Sequence, residues 1–254
     1  MSLQVHPITE YAKNNFGIAY TQDESYYILD ANGGAKVYLG LKDNVDKQAM
    51  ITELKLAQNG NLIFDAEKYV NKFPAKAHDH FLIPAGTIHC SGSGCMILEI
   101  SATPYIFTFK LWDWERVGLD GIPRPTHINH GEKVIQWNRT TDWVKENLIN
   151  NNNIIIDNEY KEESTGLNEL EFIETRRYLF DKRLELNTNG NLNVLNLIDG
   201  DVAVIESVKN LFKPFIVHYA ETFIIPASVG EYIIKPIGLS AGKKISLIRA
   251  YVRF

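Results

Sequence analysis

Four polar residues among the first 90 of the chain are of the types that bind metal ions. Gln4 and His6 stand two positions apart in a short stretch with the alternation of a β-strand, so their side chains share one face. His89 follows an apolar strand and a Pro-Ala-Gly turn, and Glu24 opens another apolar strand. If these strands converge, an amide, two imidazoles and a carboxylate can bind one divalent cation.

This donor set favours zinc, with manganese, iron or cobalt as substitutes. The alternative is that the Gln-x-His pair forms a polar strand rim and that each histidine is satisfied by hydrogen bonds alone. The turn that leads to His89, Pro-Ala-Gly-Thr-Ile-His, favours the metal site over that alternative.

The remaining histidines are weaker candidates. His78 and His80 alternate with Asp79, and they form either a second cluster or a solvated entry to the following strand, of which we favour the second. We assign no site role to the other three, which are His127, His130 and His218.

The first half of the chain reads as a β-domain with helical insertions. Residues Glu24 to Leu29 and Ala35 to Leu41 flank an Asn-Gly-Gly turn and predict a hairpin. Helical patterns then cover Asp46 to Asn59 and Leu62 to Phe73. We therefore predict one metal-binding barrel with a helical insertion over residues 1–137.

The second half predicts a further barrel. A polar segment over 138–168 reads as a connector, and short strands separated by Gly, Asn and Pro fill 169–254. A faint repeat relates His78–Gly86 to Tyr219–Ala227, since both run from polar residues through an aromatic and apolar pair to Pro-Ala. No histidine follows the second turn, so we expect a metal in the first barrel only.

Composition narrows the functional class. The 254 residues carry a net charge of −5, which argues against nucleic acid or an anionic membrane as a main partner. No apolar run is long enough to cross a bilayer, and the N-terminus does not read as a signal peptide. Cys90 and Cys95 read as ordinary thiols of a reducing compartment, so we expect a cytoplasmic protein.

Several stretches, taken in order, resemble one protein family. A Gln-x-His strand joined by a histidine after Pro-Ala-Gly is the metal-site pattern of cupin barrels, and the whole set is similar to the type I mannose-6-phosphate isomerases. The stretches are S-L-Q-V-H-P at Ser2–Pro7, E-S-Y-Y-I-L-D-A at Glu24–Ala31, F-L-I-P-A-G-T-I-H at Phe81–His89, L-E-I-S at Leu98–Ser101, L-W-D-W-E-R at Leu111–Arg116, D-G-I-P-R-P-T-H-I at Asp120–Ile128 and F-I-I-P-A-S-V-G-E-Y at Phe223–Tyr232.

The resemblance implies an all-β fold of two cupin (jelly-roll) barrels with helical insertions. It also implies one zinc per chain held by Gln4, His6, Glu24 and His89, and a phosphate contact from Ser2. The implied reaction interconverts mannose 6-phosphate and fructose 6-phosphate through a cis-enediol. The implied partner is therefore a phosphorylated hexose.

The sequence departs from the family pattern at three places. The family has a longer region before Ser2, and without it barrel edges would be exposed or would need a partner such as a homo-oligomer. Gln22 replaces a lysine, and Lys110 stands in for a catalytic arginine, keeping the charge but losing the bidentate fork. Lys110 is thus either the catalytic cation or a solvated strand residue, and Asp113 and Glu115 are further candidates for the base.

These departures leave two alternatives to the isomerase. One is a non-catalytic cupin that binds a sugar or another metabolite and holds a metal without turnover. The other is a cupin with different metal chemistry, such as an oxygenase, which the glutamine in place of a third histidine disfavours.

Overall fold

The computed structural model describes residues 1–103, 107–165 and 172–253. The chain divides into two compact units, Met1–Ile149 and Asn150–Phe254, and each is built mainly from antiparallel strands. Within the described residues, no helix is both long and apolar enough to span a membrane.

The first unit contains two antiparallel sheets. One has five strands in the order β4-β3-β6-β1-β8, and the other has three in the order β5-β2-β7. The strands are β1 (Leu3–Val5), β2 (Asp23–Ala31), β3 (Lys36–Leu41), β4 (Val70–Pro74), β5 (His80–Ile83), β6 (His89–Ser91), β7 (Cys95–Ala102) and β8 (Phe109–Trp112).

The described residues of this unit form five helices, and the first four contribute side chains to the core on the outer face of the five-stranded sheet. The helices are α1 (Thr9–Phe16), α2 (Lys47–Gln58), α3 (Ala66–Tyr69), α4 (Ile128–Val134) and α5 (Thr141–Leu148). The predicted helix at Asp46 to Asn59 is confirmed as α2, and the Asp46 carboxylate caps it by accepting a hydrogen bond from the Ala49 backbone N–H at 3.0 Å. Apolar side chains of α2 and α4 form one core with the outward residues of β1 and β8.

A separate core fills the space on the other side of this sheet. Val37 and Leu39 of β3 belong to it together with Tyr26 of β2 and Phe81 of β5. Because side chains alternate along a strand, each strand of the five-stranded sheet has one set of side chains in the helix-covered layer and the other set in the barrel interior. A side chain reaches the interior only from every second position.

The second predicted helix is wrong over most of its length. Of Leu62 to Phe73, only Ala66–Tyr69 is helical, and the chain then enters β4. Val70 pairs with Leu41 and Phe73 pairs with Val37, so the sheet edge captures residues whose spacing also suits a helix.

The segment 138–168, predicted as a connector, contains regular structure that belongs to both units. It contains α5, whose Val144 and Leu148 are fully buried in the first unit, and two strands of the second unit. The passage between the units falls at Ile149–Asn150 instead. The predicted boundary at 168–169 lies outside the described residues.

The second unit is also built from two antiparallel sheets. Their strands are β9 (Asn152–Asp157), β10 (Lys161–Thr165), β11 (Ile173–Phe180), β12 (Leu184–Asn187), β13 (Asn193–Asp199), β14 (Val202–Ser207), β15 (Phe215–His218), β16 (Thr222–Ile225), β17 (Glu231–Pro236) and β18 (Ile245–Val252). Six strands run in the order β16-β13-β18-β11-β10-β9, and four run in the order β12-β17-β14-β15. An apolar core of residues from both sheets lies between them.

Candidate metal centre

The first strand carries two of the candidate ligands to the barrel interior. Leu3 and Val5 point outward into the core shared with the helices, so Gln4 and His6 point inward. Gln4 is the direct antiparallel partner of His89 on β6, which places the side chains of these two residues on the same inner face.

A tight turn fixes the start of β6. Gly86 has a φ of +87°, and a Cβ there would stand 2.9 Å from the Val134 carbonyl oxygen, so glycine is required on both counts. Arg139 donates to the carbonyl oxygens of Pro84 and Ala85 at 2.7 and 2.8 Å, which ties down the turn before His89.

Three of the predicted ligands meet in the interior. The carboxylate of Glu24, on β2 of the other sheet, lies 3.3 Å from His6 Nε2 and 3.0 Å from His89 Nε2. The exposed fractions of His6, Glu24 and His89 are 1%, 2% and 0%. In the described part of the chain this is the only group of three such side chains whose ligand atoms lie within 4.8 Å of one another.

Main-chain carbonyls orient both imidazoles. His6 Nδ1 is 3.0 Å from the Phe107 carbonyl oxygen, and His89 Nδ1 is 2.9 Å from the Thr87 carbonyl oxygen. A carbonyl only accepts, so each Nδ1 carries the proton, and in the neutral ring each Nε2 presents its lone pair to the cluster. This is how proteins usually set metal-binding histidines.

The cluster lacks the partners that a purely hydrogen-bonded arrangement would need. His6 Nε2 and Glu24 Oε1 are buried, and neither makes a hydrogen bond with a described residue. Burial alone would raise the pKa of the Glu24 carboxyl, but positive charge at the positions of His6 and His89 outweighs it and holds that pKa well below its usual range, as a cation bound between neutral imidazoles would also do. A buried carboxylate facing two imidazole lone pairs fits a divalent cation such as zinc.

Gln4 lies at the edge of this cluster. Its Nε2 is 3.1 Å from His89 Nε2. A half-turn of the amide would bring Oε1, the oxygen that binds metals, to this position. The fourth predicted ligand is therefore within reach of the other three.

Gln22, which sequence analysis noted only as a departure from the family pattern, supports two of the predicted metal ligands. Gln22 is 2% exposed, and it donates from Nε2 to Glu24 Oε2 at 2.9 Å while Oε1 accepts from the Phe107 backbone N–H at 3.1 Å. The carbonyl of the same Phe107 holds His6. One peptide segment therefore orients His6 directly and Glu24 through Gln22.

Lys110 has its side chain on the inner face of β8, and Ser2 lies immediately before β1. Lys110 on β8 is the antiparallel partner of Gln4, so its side chain shares the inward face. Ser2 precedes Gln4 by two residues and is 8% exposed. Lys110 is half-buried, and the described residues offer it no carboxylate within ion-pair distance.

The other candidates for a base lie elsewhere. Asp113 is held by Arg124 at 3.0 Å and by Arg116 at 3.8 Å, and Glu115 lines a surface cavity of about 460 Å³ with Trp112. Neither belongs to the buried cluster.

The remaining histidines are not part of the cluster. His80 is 2% exposed, so the expectation of a solvated strand entry is wrong for it, because it pairs with Tyr27 and its ring packs 5.5 Å from the Tyr27 ring. His78 contacts the Tyr27 hydroxyl, and His130 contacts the Tyr11 hydroxyl at 2.8 Å. The remaining two are exposed: His127 precedes α4, and His218 ends β15.

Glu99, a solvent-accessible residue that sequence reasoning missed, lies two positions from Ser101, the strand partner of Glu24. It lies on β7 as the partner of Tyr26, and its carboxylate accepts a hydrogen bond from the Ser101 hydroxyl at 2.7 Å. Burial and the adjacent charge of Glu24 raise the pKa of Glu99. The signal was present in the L-E-I-S stretch, where an acidic residue interrupts an apolar strand.

The chain has a cupin fold, and its buried His-Glu-His group is a candidate metal centre. Among solved structures, the mannose 6-phosphate isomerase of Bacillus subtilis matches with a TM-score of 0.78 at 19% identity, over 99% of this chain and 71% of that one. A variant phosphomannose isomerase of Salmonella typhimurium matches with a TM-score of 0.68 at 13% identity, over 100% and 77%. At these identities the likeness shows the fold, and the predicted all-β cupin architecture is confirmed.

Sequence comparison points to the same proteins. The chain is 31% identical over 137 residues to the mannose-6-phosphate isomerase of Streptococcus mutans, and 27% identical over 136 residues to that of Bacillus subtilis. These matches cover 53% and 54% of this chain but only 40% of each relative. No protein-family model matches the chain. The predicted resemblance to the type I mannose-6-phosphate isomerases is thus confirmed by sequence over about half of the chain and by fold over almost all of it.

We predict that Gln22→Met weakens zinc binding by about 10- to 100-fold, because methionine fills the space but loses both hydrogen bonds that orient Glu24. Competition with a chromophoric chelator measures the affinity. Gln48→Met, an exposed change on α2, is the matched control and should bind like the unaltered chain. Equal affinity for both variants would refute the supporting role of Gln22.

Proposed function

We propose that this chain is a metal-dependent aldose–ketose isomerase that interconverts mannose 6-phosphate and fructose 6-phosphate. The observation that carries the proposal is the buried group His6, Glu24 and His89 inside the fold of the phosphomannose isomerases. The matched relatives bear the name mannose-6-phosphate isomerase, although the match covers less than half of their length.

The chain's own residues suggest how the site is divided. Gln4, His6, Glu24 and His89 would hold one zinc ion. When bound, that ion would supply a Lewis acid that polarises the sugar oxygens at C1 and C2. Ser2, which lies two residues before Gln4 and is 8% exposed, would contact the substrate phosphate.

The reaction moves a proton between C1 and C2 through a cis-enediol. We assign the proton transfer to Glu99, because it lies on β7 two positions from Ser101, the direct partner of Glu24, and so shares the strand face of Glu24. We assign Lys110 to the negative charge that develops on the sugar oxygen, because it lies opposite Gln4 and its ammonium is free of a described carboxylate.

A second candidate is a non-catalytic sugar-binding cupin. Gln22 favours it, since a neutral amide stands where the resemblance implies a lysine. The second candidate binds the same metal and lacks turnover.

The cytoplasmic location and a homo-oligomer remain predictions. The prediction that Cys90 and Cys95 are free thiols is confirmed.

An isomerase assay with mannose 6-phosphate separates the two candidates. We expect metal-loaded protein to form fructose 6-phosphate, chelation to abolish turnover, and one equivalent of zinc to restore it. Glu24→Gln should lose both the metal and the activity. Stoichiometric zinc without turnover would contradict the isomerase and favour the binding protein.

We predict that Lys110→Met lowers kcat by about 100-fold or more with a small change in KM, because the lost cation acts on charge that develops in the transition state. Lys110→Arg should retain part of the activity, since it keeps the charge. Lys133→Met, an exposed change on α4, is the control. A Lys110→Met variant as active as that control would make Lys110 a solvated strand residue.

A further inference from the structure

The inner face of the second unit changes from apolar to polar along two paired strands. On β18, Ile245 and Leu247 are fully buried in the core, and the next inward position is Arg249. On β11, Tyr178 belongs to the same core, and the next inward position is Arg176, which is the direct partner of Arg249. The guanidinium groups of Arg176 and Arg249 therefore lie at the end of the apolar core, on the same inner face of the sheet.

Arg249 is buried by neutral groups. Its residue is 6% exposed, and Nη2 donates to the Asn187 carbonyl at 2.9 Å while Nη1 lies 3.4 Å from the Tyr178 hydroxyl. The guanidinium carbon stands 4.4 Å from the centre of the Tyr251 ring. These contacts hold the side chain in place but supply no negative charge.

The neighbouring arginine has a different environment. Arg176 has Glu174 at 2.7 Å and Glu162 at 3.6 Å. Across residues 1–103, 107–165 and 172–253, no carboxylate lies within ion-pair distance of Arg249. A buried charge without a counter-charge is costly, so the position needs another source of negative charge.

Besides Arg176 Nε, which has Glu174 beside it, two buried atoms on this inner face make no hydrogen bond with a described residue. One is Arg249 Nε, a donor, and the other is Asn193 Oδ1, an acceptor on a residue with 0% exposure. Leu195 is the direct partner of Arg249, so Asn193, two positions away, stands diagonally across on the same inner face. The Asn193 amide nitrogen donates to the Tyr232 hydroxyl at 2.9 Å, which turns Oδ1 to the opposite side.

We propose that the second unit binds a small oxyanion at Arg249, with Asn193 as its second contact. A carboxylate or phosphate oxygen would accept from Nε and neutralise the guanidinium. A hydroxyl of the same ligand would donate to Asn193 Oδ1. The ligand class is therefore a small hydroxylated carboxylate or a phosphate, and the site is independent of the metal centre in the first unit.

Thermal unfolding of the full chain tests the proposal with inorganic phosphate and with glycolate, each titrated at constant ionic strength against chloride. The unaltered chain should show a saturable rise in its midpoint, since a ligand bound only to the folded state stabilises it. Arg249→Met should lose that saturable rise. Arg183→Met, an exposed arginine of the same unit, is the matched control and should keep it.

Arg249→Lys tests the oxyanion site if Arg249→Met does not fold. Lysine keeps the charge but loses Nε, so we expect the apparent Kd to rise by about tenfold or more. A response to only one of the two probes supports the site and identifies whether phosphate or carboxylate fills it. No saturable rise in the unaltered chain, an equal rise in Arg249→Met, or an unchanged Kd in Arg249→Lys would each overturn it.

Discussion

The candidate centre depends on two hydrogen bonds from imidazole nitrogens to main-chain carbonyls. The Nδ1 atoms of His6 and His89 are fixed by the carbonyls of Phe107 and Thr87, so both Nε2 atoms face the Glu24 carboxylate. Without these bonds either ring could rotate or change tautomer, and three buried polar groups would have no common point to face. The orphaned ligand atoms are what distinguish the cluster from a satisfied polar core.

The fold supplies those carbonyls at the required positions. The Gly86 turn sets the Thr87 carbonyl two residues before His89, and a helix-covered layer keeps β1 in register so that only alternate residues face inward. Gln22 orients Glu24 in a similar way, because it hydrogen-bonds both the Glu24 carboxylate and the backbone of Phe107, whose carbonyl orients His6. Both units are built from two packed sheets, and the inner face of the second carries Arg249, which has no carboxylate within ion-pair distance among the described residues.

Local patterns made part of this predictable from sequence. Period-2 alternation placed Gln4 with His6, and the Pro-Ala-Gly turn indicated His89, because both signals come from adjacent residues. The strand β4 was missed because its pairing with β3 overrides a helical spacing, and burial of His80 depends on a strand whose neighbours are distant in sequence. Glu99 and the support from Gln22 were missed as site features for the same reason, since each acts through a contact that no local pattern encodes.

X-ray absorption at the zinc edge of zinc-loaded protein tests the central claim most directly. The account predicts one tightly bound zinc surrounded only by nitrogen and oxygen atoms at about 2.0–2.2 Å. The spectrum should carry the scattering of two imidazole rings, reduced to one ring in His89→Ala. A zinc ion surrounded by water or sulfur, or a spectrum that His89→Ala leaves unchanged, would contradict the account.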